Sequence, residues 1–299
     1  MTAAVGAGLR WWRLRVPLRM PWQGVVERDV RIVQGPTGWG EVSPLPGFPC
    51  DPTMASQSAI EAATHGWPTP VRLTIPINST IPPVPPDEAS HLALEDARAG
   101  IDTFKVKVGA GDDVGRLSAV RDAIGPSASL RVDANGAWDV ETACARLASF
   151  GRFDLELAEQ PVASLDDLAR LRRMVSAPLA ADEAVRDVDD ARRLRRLDAA
   201  DALVVKVQPL GGVRAALSVV EEAGVPAIVS SMLETSVGLA AGVALAACLP
   251  DLPFSCGLGT ASLLAADVTD DPLLPCRGAV EVRPVFPDEV LLGRLAAPA

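Results

Sequence analysis

The pattern of apolar and polar positions divides the chain near residue 71. Before that point, runs such as LRWWRLRVPLRM and VVERDVRIVQG alternate apolar and polar side chains and are separated by Gly and Pro. Such alternation between turn residues is typical of antiparallel strands. A short helical pattern follows over residues 51–66. Residues 1–70 are therefore predicted to form a small α+β domain.

After residue 71, short β-branched runs alternate with helical patterns. The eight runs are VRLTIPIN, TFKVKVG, LRVDAN, LELAEQP, PLAADE, ALVVKVQP, PAIVSSML and LPFSCGLG. The clearest helical patterns between or after them cover residues 139–150, 165–175, 187–197, 212–223 and 236–248. Because parallel strands need helical crossovers, residues 71–278 predict an α/β fold, a (β/α)8-type barrel.

The last segment, residues 279–299, returns to strand-like alternation. It is expected to pack back on residues 1–70. The prediction is thus a barrel with a discontinuous α+β capping domain.

Three acidic residues each lie at the end of one apolar run. Asp133, Glu159 and Asp182 follow one another at intervals of about one strand–helix repeat. If these runs are neighbouring barrel strands, the side chains converge at the rim where barrel enzymes carry their active sites. Ligands that offer only oxygen favour Mg²⁺, or Mn²⁺, over Zn²⁺. The sequence therefore predicts a site for a hard divalent cation.

Lysines flank the three acids on both sides. Lys105 and Lys107, in FKVKVG, precede them and share one strand face, and Lys206, in LVVKVQP, follows them. A proton alpha to a carboxylate is very weakly acidic, and its removal leaves a negative charge that a divalent cation can neutralise. Neighbouring cations and desolvation can turn a lysine into the base. The set predicts a proton-abstraction enzyme that acts on a small-molecule carboxylate.

Each of these residues alone has a simpler explanation. An Asp at the end of a strand is more often a helix N-cap, and a lysine in a strand is usually solvated. Clustered charges on successive strands are harder to dismiss, because buried charges are costly without partners. The two histidines, His65 and His91, lie in predicted helices, so neither a His–Asp base nor a Ser-His-Asp triad is expected.

Composition narrows the class of protein. The chain has 299 residues and a net charge of −10, which argues against nucleic acid and membrane partners. Its five cysteines are odd in number and lack CxxC spacing, as in reduced cytosolic proteins. The first residues lack the apolar core of a signal peptide. A cytoplasmic enzyme is expected.

Six motifs, in order along the chain, resemble those of the enolase superfamily. They are GPTGWGEVSPLPGF, FKVKVG, VDANGAW, LAEQPV, AADEAV and VVKVQPLGG. Lysines on both sides of the acids are similar to the muconate-lactonizing subgroup, whereas the mandelate racemase subgroup would need a histidine base. The resemblance covers most of the chain.

The resemblance implies a role for each residue of the site. Mg²⁺ would bind Asp133, Glu159 and Asp182. Lys107 would remove the alpha proton and return it to a departing hydroxyl in a syn elimination of water, while Lys206 would stabilise the anionic intermediate from the opposite side. The remaining implied residues are Lys105, which tunes Lys107, Gln160 and Glu183, which lie beside the metal ligands, and Ser230 and Ser231, which face the substrate.

Several alternatives remain open. The short chain and the VSSMLETSVGL segment most resemble the dehydratases of the subgroup, but a racemase of N-acylamino acids or a dipeptide epimerase would use the same metal and lysines. A Schiff-base aldolase with Lys206 as nucleophile is a second alternative, and a barrel that binds a ligand without turnover is a third. Ser230 and Ser231 are equally well explained as cap or turn residues. A monomer is expected.

Overall fold

The computed structural model describes residues 8–22 and 24–298. An antiparallel sheet with the order β1-β2-β3 comes first. Its strands are β1 (Arg10–Trp22), β2 (Val25–Gln34) and β3 (Trp39–Val42). Alternate residues in the middle of β1, among them Leu14 and Val16, are buried, so one face of the sheet points to the core as the alternation predicted.

Helix α1 (Pro52–Thr64) packs on this sheet. It begins where the Asp51 side chain accepts a hydrogen bond of 2.7 Å from the Thr53 N–H, a common helix N-cap. The helix approaches β3 so closely that a Cβ atom on Gly40 would lie 2.0 Å from the carbonyl oxygen of Ala59. The contact between α1 and β3 therefore requires glycine at position 40.

A curled sheet of seven parallel strands follows, with the spatial order β11-β10-β9-β8-β7-β6-β5. A short strand, β4 (Thr74–Pro76), precedes it. The seven strands are β5 (Ser79–Ile81), β6 (Thr103–Lys107), β7 (Ser129–Asp133), β8 (Leu155–Glu159), β9 (Leu179–Ala181), β10 (Ala202–Val205) and β11 (Ala227–Val229). Neighbours in space are neighbours in sequence, which is the order of a barrel wall.

Helices connect the parallel strands. They are α2 (Pro86–Arg98), α3 (Asp113–Ile124), α4 (Val140–Phe150), α5 (Leu165–Arg172), α6 (Val188–Leu197), α7 (Val213–Ala223) and α8 (Ser236–Cys248). The five helices predicted from residue 139 onwards are confirmed, with ends shifted by a few residues. Among the described residues, no helix is long and apolar enough to cross a membrane.

The two edges of the curled sheet meet through residues 256 and 257. Ser230 bridges Gly257 and Ile77 bridges Cys256, both in parallel. The Gly257 N–H donates to Val229 O at 2.8 Å, and the Asn78 N–H donates to Cys256 O at 2.8 Å. This geometry is consistent with a (β/α)8 barrel.

The first and last predicted barrel strands differ from the structure. Within VRLTIPIN only β4 forms, and it pairs with β12 (Ala279–Glu281) in antiparallel fashion outside the curled sheet. The run cannot pair as one continuous strand, because Pro76 has no N–H to donate. LPFSCGLG forms isolated bridges where a full strand was predicted.

The C-terminal segment contacts the first sheet at its end. Leu14 bridges Ala296, and the Arg15 N–H donates to Leu295 O at 2.9 Å. The strand-like alternation predicted for this segment is wrong over helix α9 (Glu289–Arg294). The helix forms because the Asp288 side chain accepts from two N–H groups of its first turn.

Candidate active site

Strand register aligns the second lysine with the first two acids. Lys107 at the end of β6 lies opposite Asp133 at the end of β7, and Asp133 lies opposite Glu159 at the end of β8. Asp182 and Lys206 come directly after β9 and β10. Because parallel strands end at one edge of the sheet, all five side chains reach the same rim.

The lysines and acids form buried ion pairs. Lys105 Nζ lies 3.0 Å from Asp133 Oδ2 and 2.8 Å from Glu159 Oε1. Lys107 Nζ lies 2.6 Å from Asp133 Oδ2. Lys206 Nζ lies 2.5 Å from both carboxylate oxygens of Asp182. These are the three lysines of the entire chain, so every ε-amine of the protein lies in this one cluster.

The acids differ in how well their charges are compensated. Burial and the charge of Asp133 raise the pKa of Glu159 to about 7. Burial also opposes ionisation of Asp133, but the charges of Lys107 and Lys105 outweigh it and lower the pKa of Asp133. Burial raises the pKa of Asp182. Glu159 is thus a carboxylate that further positive charge nearby would stabilise.

Lys105 is the most buried of the three lysines. Burial would lower the pKa of its amine, but the charges of Glu159 and Asp133 raise it overall. Lys105 therefore remains a cation at neutral pH. It shares the Oδ2 atom of Asp133 with Lys107, which places a fixed positive charge beside Lys107.

The three acids differ in arrangement, but not in chemistry, from a ready-made site for a divalent cation. Within residues 8–22 and 24–298, no three His, Cys, Asp or Glu side chains are arranged to hold a metal ion as they stand; Lys105 bridges two of the acids. The chemistry of Asp133, Glu159 and Asp182 nevertheless fits a hard cation, because the donors are anionic oxygens that are at most 4% exposed. The buried Oε2 atom of Glu183 also has no hydrogen-bond partner in the described part of the chain.

Gln160 supports the third acid. Its side-chain Oε1 accepts from the Asp182 N–H at 2.6 Å, and its Nε2 donates to Val162 O at 2.7 Å. The residue is fully buried, and its φ of 37° is in the left-handed region. The residue after Glu159 therefore fixes the backbone that carries Asp182.

A cavity of about 370 Å³ lies above this cluster. Ser230, Ser231 and Glu183 line it, as do all the lysines and acids described above. The Ser231 hydroxyl donates to Gly257 O at 2.8 Å. Both serines thus line the cavity beside the cluster, and their contact with a substrate stays a prediction.

The sequence reasoning missed some residues that line the cavity. Asn135 accepts a hydrogen bond of 2.7 Å from Lys107 Nζ and has a φ of 47°. Its place in VDANGAW was the available signal, because Asn tolerates the left-handed conformation better than most residues. Other missed residues are Trp22, Leu45, Phe48, Thr80, Leu233 and Thr260. Some of them lie in segments quoted above, as Leu45 and Phe48 do in GPTGWGEVSPLPGF, but no local pattern predicts that their side chains meet at the cavity.

The chain matches two families of the same superfamily. Residues 14–63 match the family described as enolase N-terminal domain-like, and residues 88–288 match the one described as enolase C-terminal domain-like. The chain therefore belongs to the enolase superfamily, which confirms the resemblance seen in its motifs.

One relative narrows the assignment within the superfamily. An o-succinylbenzoate synthase from Thermobifida fusca (strain YX) is 51% identical over 286 residues, which cover 94% of this chain and 89% of the relative. The chain thus belongs, within the superfamily, to the family of the o-succinylbenzoate synthases.

Solved structures share the fold at lower identity. Muconate lactonizing enzyme from Pseudomonas putida has a TM-score of 0.84 and 21% identity, over 97% of this chain and 99% of that one. A dipeptide epimerase from Enterococcus faecalis V583, complexed with Mg and the dipeptide L-Leu-L-Tyr, has a TM-score of 0.83 and 23% identity, over 93% of this chain and 97% of that one. At this identity the likeness concerns the fold alone.

Proposed function

We propose that this chain is an o-succinylbenzoate synthase, a carbon–oxygen lyase. It would dehydrate 2-succinyl-6-hydroxy-2,4-cyclohexadiene-1-carboxylate to 2-succinylbenzoate, a step of menaquinone biosynthesis. The observation that carries the proposal is the 51% identity with the Thermobifida fusca enzyme across nearly the whole chain. The buried cluster of acids and lysines in one cavity supports it.

We infer that the curled sheet, with the bridges of residues 256 and 257, is a (β/α)8-type barrel over residues 71–278. The first sheet and α1 would cap the rim that carries the site, together with residues 279–299. Cap residues such as Trp22 and Phe48 line the same cavity as the barrel residues, which supports this division. The enzyme would act in the cytoplasm, as a monomer.

Asp133, Glu159 and Asp182 would hold Mg²⁺, with Mn²⁺ as the alternative. Once bound, the cation would neutralise the negative charge that develops on the substrate carboxylate as the alpha proton leaves. The Mg named in the dipeptide epimerase complex supports a divalent metal in this fold.

Lys107 would act as base and then as acid. Its amine would take the alpha proton, and the resulting ammonium would give a proton to the departing hydroxyl on the same face of the ring, a syn elimination. Asn135 and Asp133 hold Lys107 Nζ at 2.7 and 2.6 Å, which fixes the position of the amine. Aromatisation of the ring favours the products.

Lys206 would stabilise the anion from the opposite side. Its strand, β10, is separated from β6 by three strands of the curled sheet, so the two lysines approach the cavity from different sides. Lys105 would tune Lys107 through its charge, and Gln160 would hold Asp182. Ser230, Ser231 and Glu183 would contact the substrate or the metal ligands.

A racemase of N-succinylamino acids or a dipeptide epimerase is the second candidate. Two lysines that approach from different sides favour it, since Lys107 and Lys206 could each exchange a proton on one face of an alpha carbon. The metal requirement is the same for both reactions.

The test is a Mg²⁺-dependent assay that follows the loss of absorbance of the cyclohexadiene carboxylate. We expect turnover that is abolished by EDTA, restored by Mg²⁺ and lost in Lys107→Ala. Arg10→Ala, which changes an exposed cation that does not line the cavity, is the control and should retain activity. Absence of turnover, with proton exchange on N-succinylamino acids in D₂O, would replace the synthase by the racemase.

A further inference from the structure

Two cavities meet at one aromatic side chain. Beside the catalytic cavity of about 370 Å³ lies a second cavity of about 200 Å³, between α1 and the ends of β9 and β10. Phe48, Asp182 and Lys206 line both cavities. The far side of the second cavity is mainly apolar and includes Met54 and Leu210. The second cavity thus adjoins the first, and Phe48 and Lys206 lie in the wall that the two cavities share.

A turn delivers Phe48 to this position. In the segment Leu45–Pro46–Gly47–Phe48, the Phe48 N–H donates to Leu45 O at 3.1 Å, and Gly47 has a φ of 86°. Proline followed by glycine with positive φ is the signature of a type II turn. The backbone of this cap segment is therefore fixed by its own sequence, and the ring of Phe48 is directed toward the barrel.

The ring lies on the ammonium group of Lys206. Lys206 Nζ is 4.2 Å from the centroid of Phe48, and the Asp182 carboxylate contacts the same ammonium. The attraction between a cation and an aromatic face is stronger where water is excluded. Lys206 is 8% exposed, so the contact is largely desolvated. The ammonium is held between a carboxylate of the barrel and a ring of the cap.

We propose that Phe48 is a positioning residue for Lys206. The ring restrains the Lys206 ammonium at the rim. The role in catalysis rests on the proposed function. The restraint on Lys206 can be measured independently of turnover.

The first experiment uses the fact that the chain has three lysines. Protein labelled with [¹³Cε]lysine gives three ε-carbon signals, and the Lys206→Arg variant identifies that of Lys206. We expect ring-current-shifted ε-protons at Lys206 that return toward the ordinary position in Phe48→Leu and stay shifted in Phe48→Tyr. Phe254→Leu removes a ring that lies 5.5 Å from Arg131, outside both cavities, and should leave the signal unchanged. An unshifted Lys206 signal in the wild type would overturn the proposal.

The second experiment measures catalysis. For the dehydration, Phe48→Leu should lower kcat about tenfold, and Phe48→Tyr should retain most of it. An unchanged kcat in Phe48→Leu would overturn the role in catalysis. If the wild type does not dehydrate the cyclohexadiene carboxylate, the proposed function is wrong. The labelling experiment would still show whether Phe48 contacts Lys206.

Discussion

A buried carboxylate, that of Glu41, connects the first sheet with α8 and should make the free energy of unfolding depend on pH. Glu41 in β3 accepts hydrogen bonds at the start of α8, from the Thr235 N–H at 3.1 Å and the Gly238 N–H at 2.9 Å. Ser43 Oγ donates to it at 2.5 Å. Burial raises the pKa of Glu41 to about 7, although these donors oppose the shift and the charge of Glu234 adds to it.

The direction and size of the effect follow from this pKa. In the unfolded chain the carboxyl has its ordinary pKa of 4.5. Between pH 4.5 and 7 the folded state keeps a proton on Glu41 that the unfolded state releases. The contribution of Glu41 to the free energy of unfolding is therefore fully present below pH 4.5, and it falls as pH rises through this window. At about 1.4 kcal/mol per pKa unit the whole loss is about 3 kcal/mol, of which about 2 kcal/mol falls between about pH 5.5 and 7.

The assay is equilibrium unfolding in urea from about pH 5.5 to 8, compared between wild type and Glu41→Gln. Other buried acids also titrate, so the informative quantity is the difference in pH dependence between the two proteins. The free energy of unfolding of Glu41→Gln should fall less with pH than that of the wild type, by about 2 kcal/mol. Glu27→Gln, an exposed change in the same sheet, should keep the wild-type dependence. Identical pH dependence in wild type and Glu41→Gln would refute the reasoning.

Two further substitutions test the packing of α1 on β3 and the support of the proposed metal ligands. Gly40→Ala should lower the free energy of unfolding by about 1–3 kcal/mol, because its Cβ would collide with Ala59 O. Gly293→Ala should leave the free energy of unfolding unchanged, because a Cβ atom at that position has no neighbour within 4 Å. Equal losses of this free energy for the two variants in urea unfolding would contradict this account. Gln160→Leu removes the acceptor of the Asp182 N–H. It should weaken Mg²⁺ activation of turnover about 10- to 100-fold, and an unchanged Mg²⁺ titration would exclude a supporting role.

The middle of the curled sheet could be predicted from sequence, but the contact between its two edges could not. Helices such as α4, α5 and α6 have strong periodicity, and each begins at an Asp or Ser whose side chain accepts from the first turn, as Asp139 does for α4. The closing segments lack such local signals. Pro76 interrupts the first predicted strand, and the eighth is reduced to the bridges of Cys256 and Gly257.

The candidate site shows the same division. The identities of Lys107, Asp133 and Glu159 follow from their places at strand ends, and the register then aligns them in one row. The contact between Phe48 and Lys206 joins segments far apart in the chain, and no periodicity indicates it. No periodicity indicates the hydrogen bond that the Asp182 N–H donates to the Gln160 side chain either.

The sequence by itself determined the parallel strand–helix order, the residues at the rim and the superfamily, because periodicity, caps and motifs are properties of neighbouring residues. Only the tertiary structure decided how the first sheet and α1 meet the curled sheet, which lysine pairs with which acid and which residues the two cavities share. Those features depend on packing between segments far apart in the chain, such as Glu41 with the start of α8. Which side chains meet in such contacts depends on distances and burial in the folded chain, and no local sequence pattern contains that information.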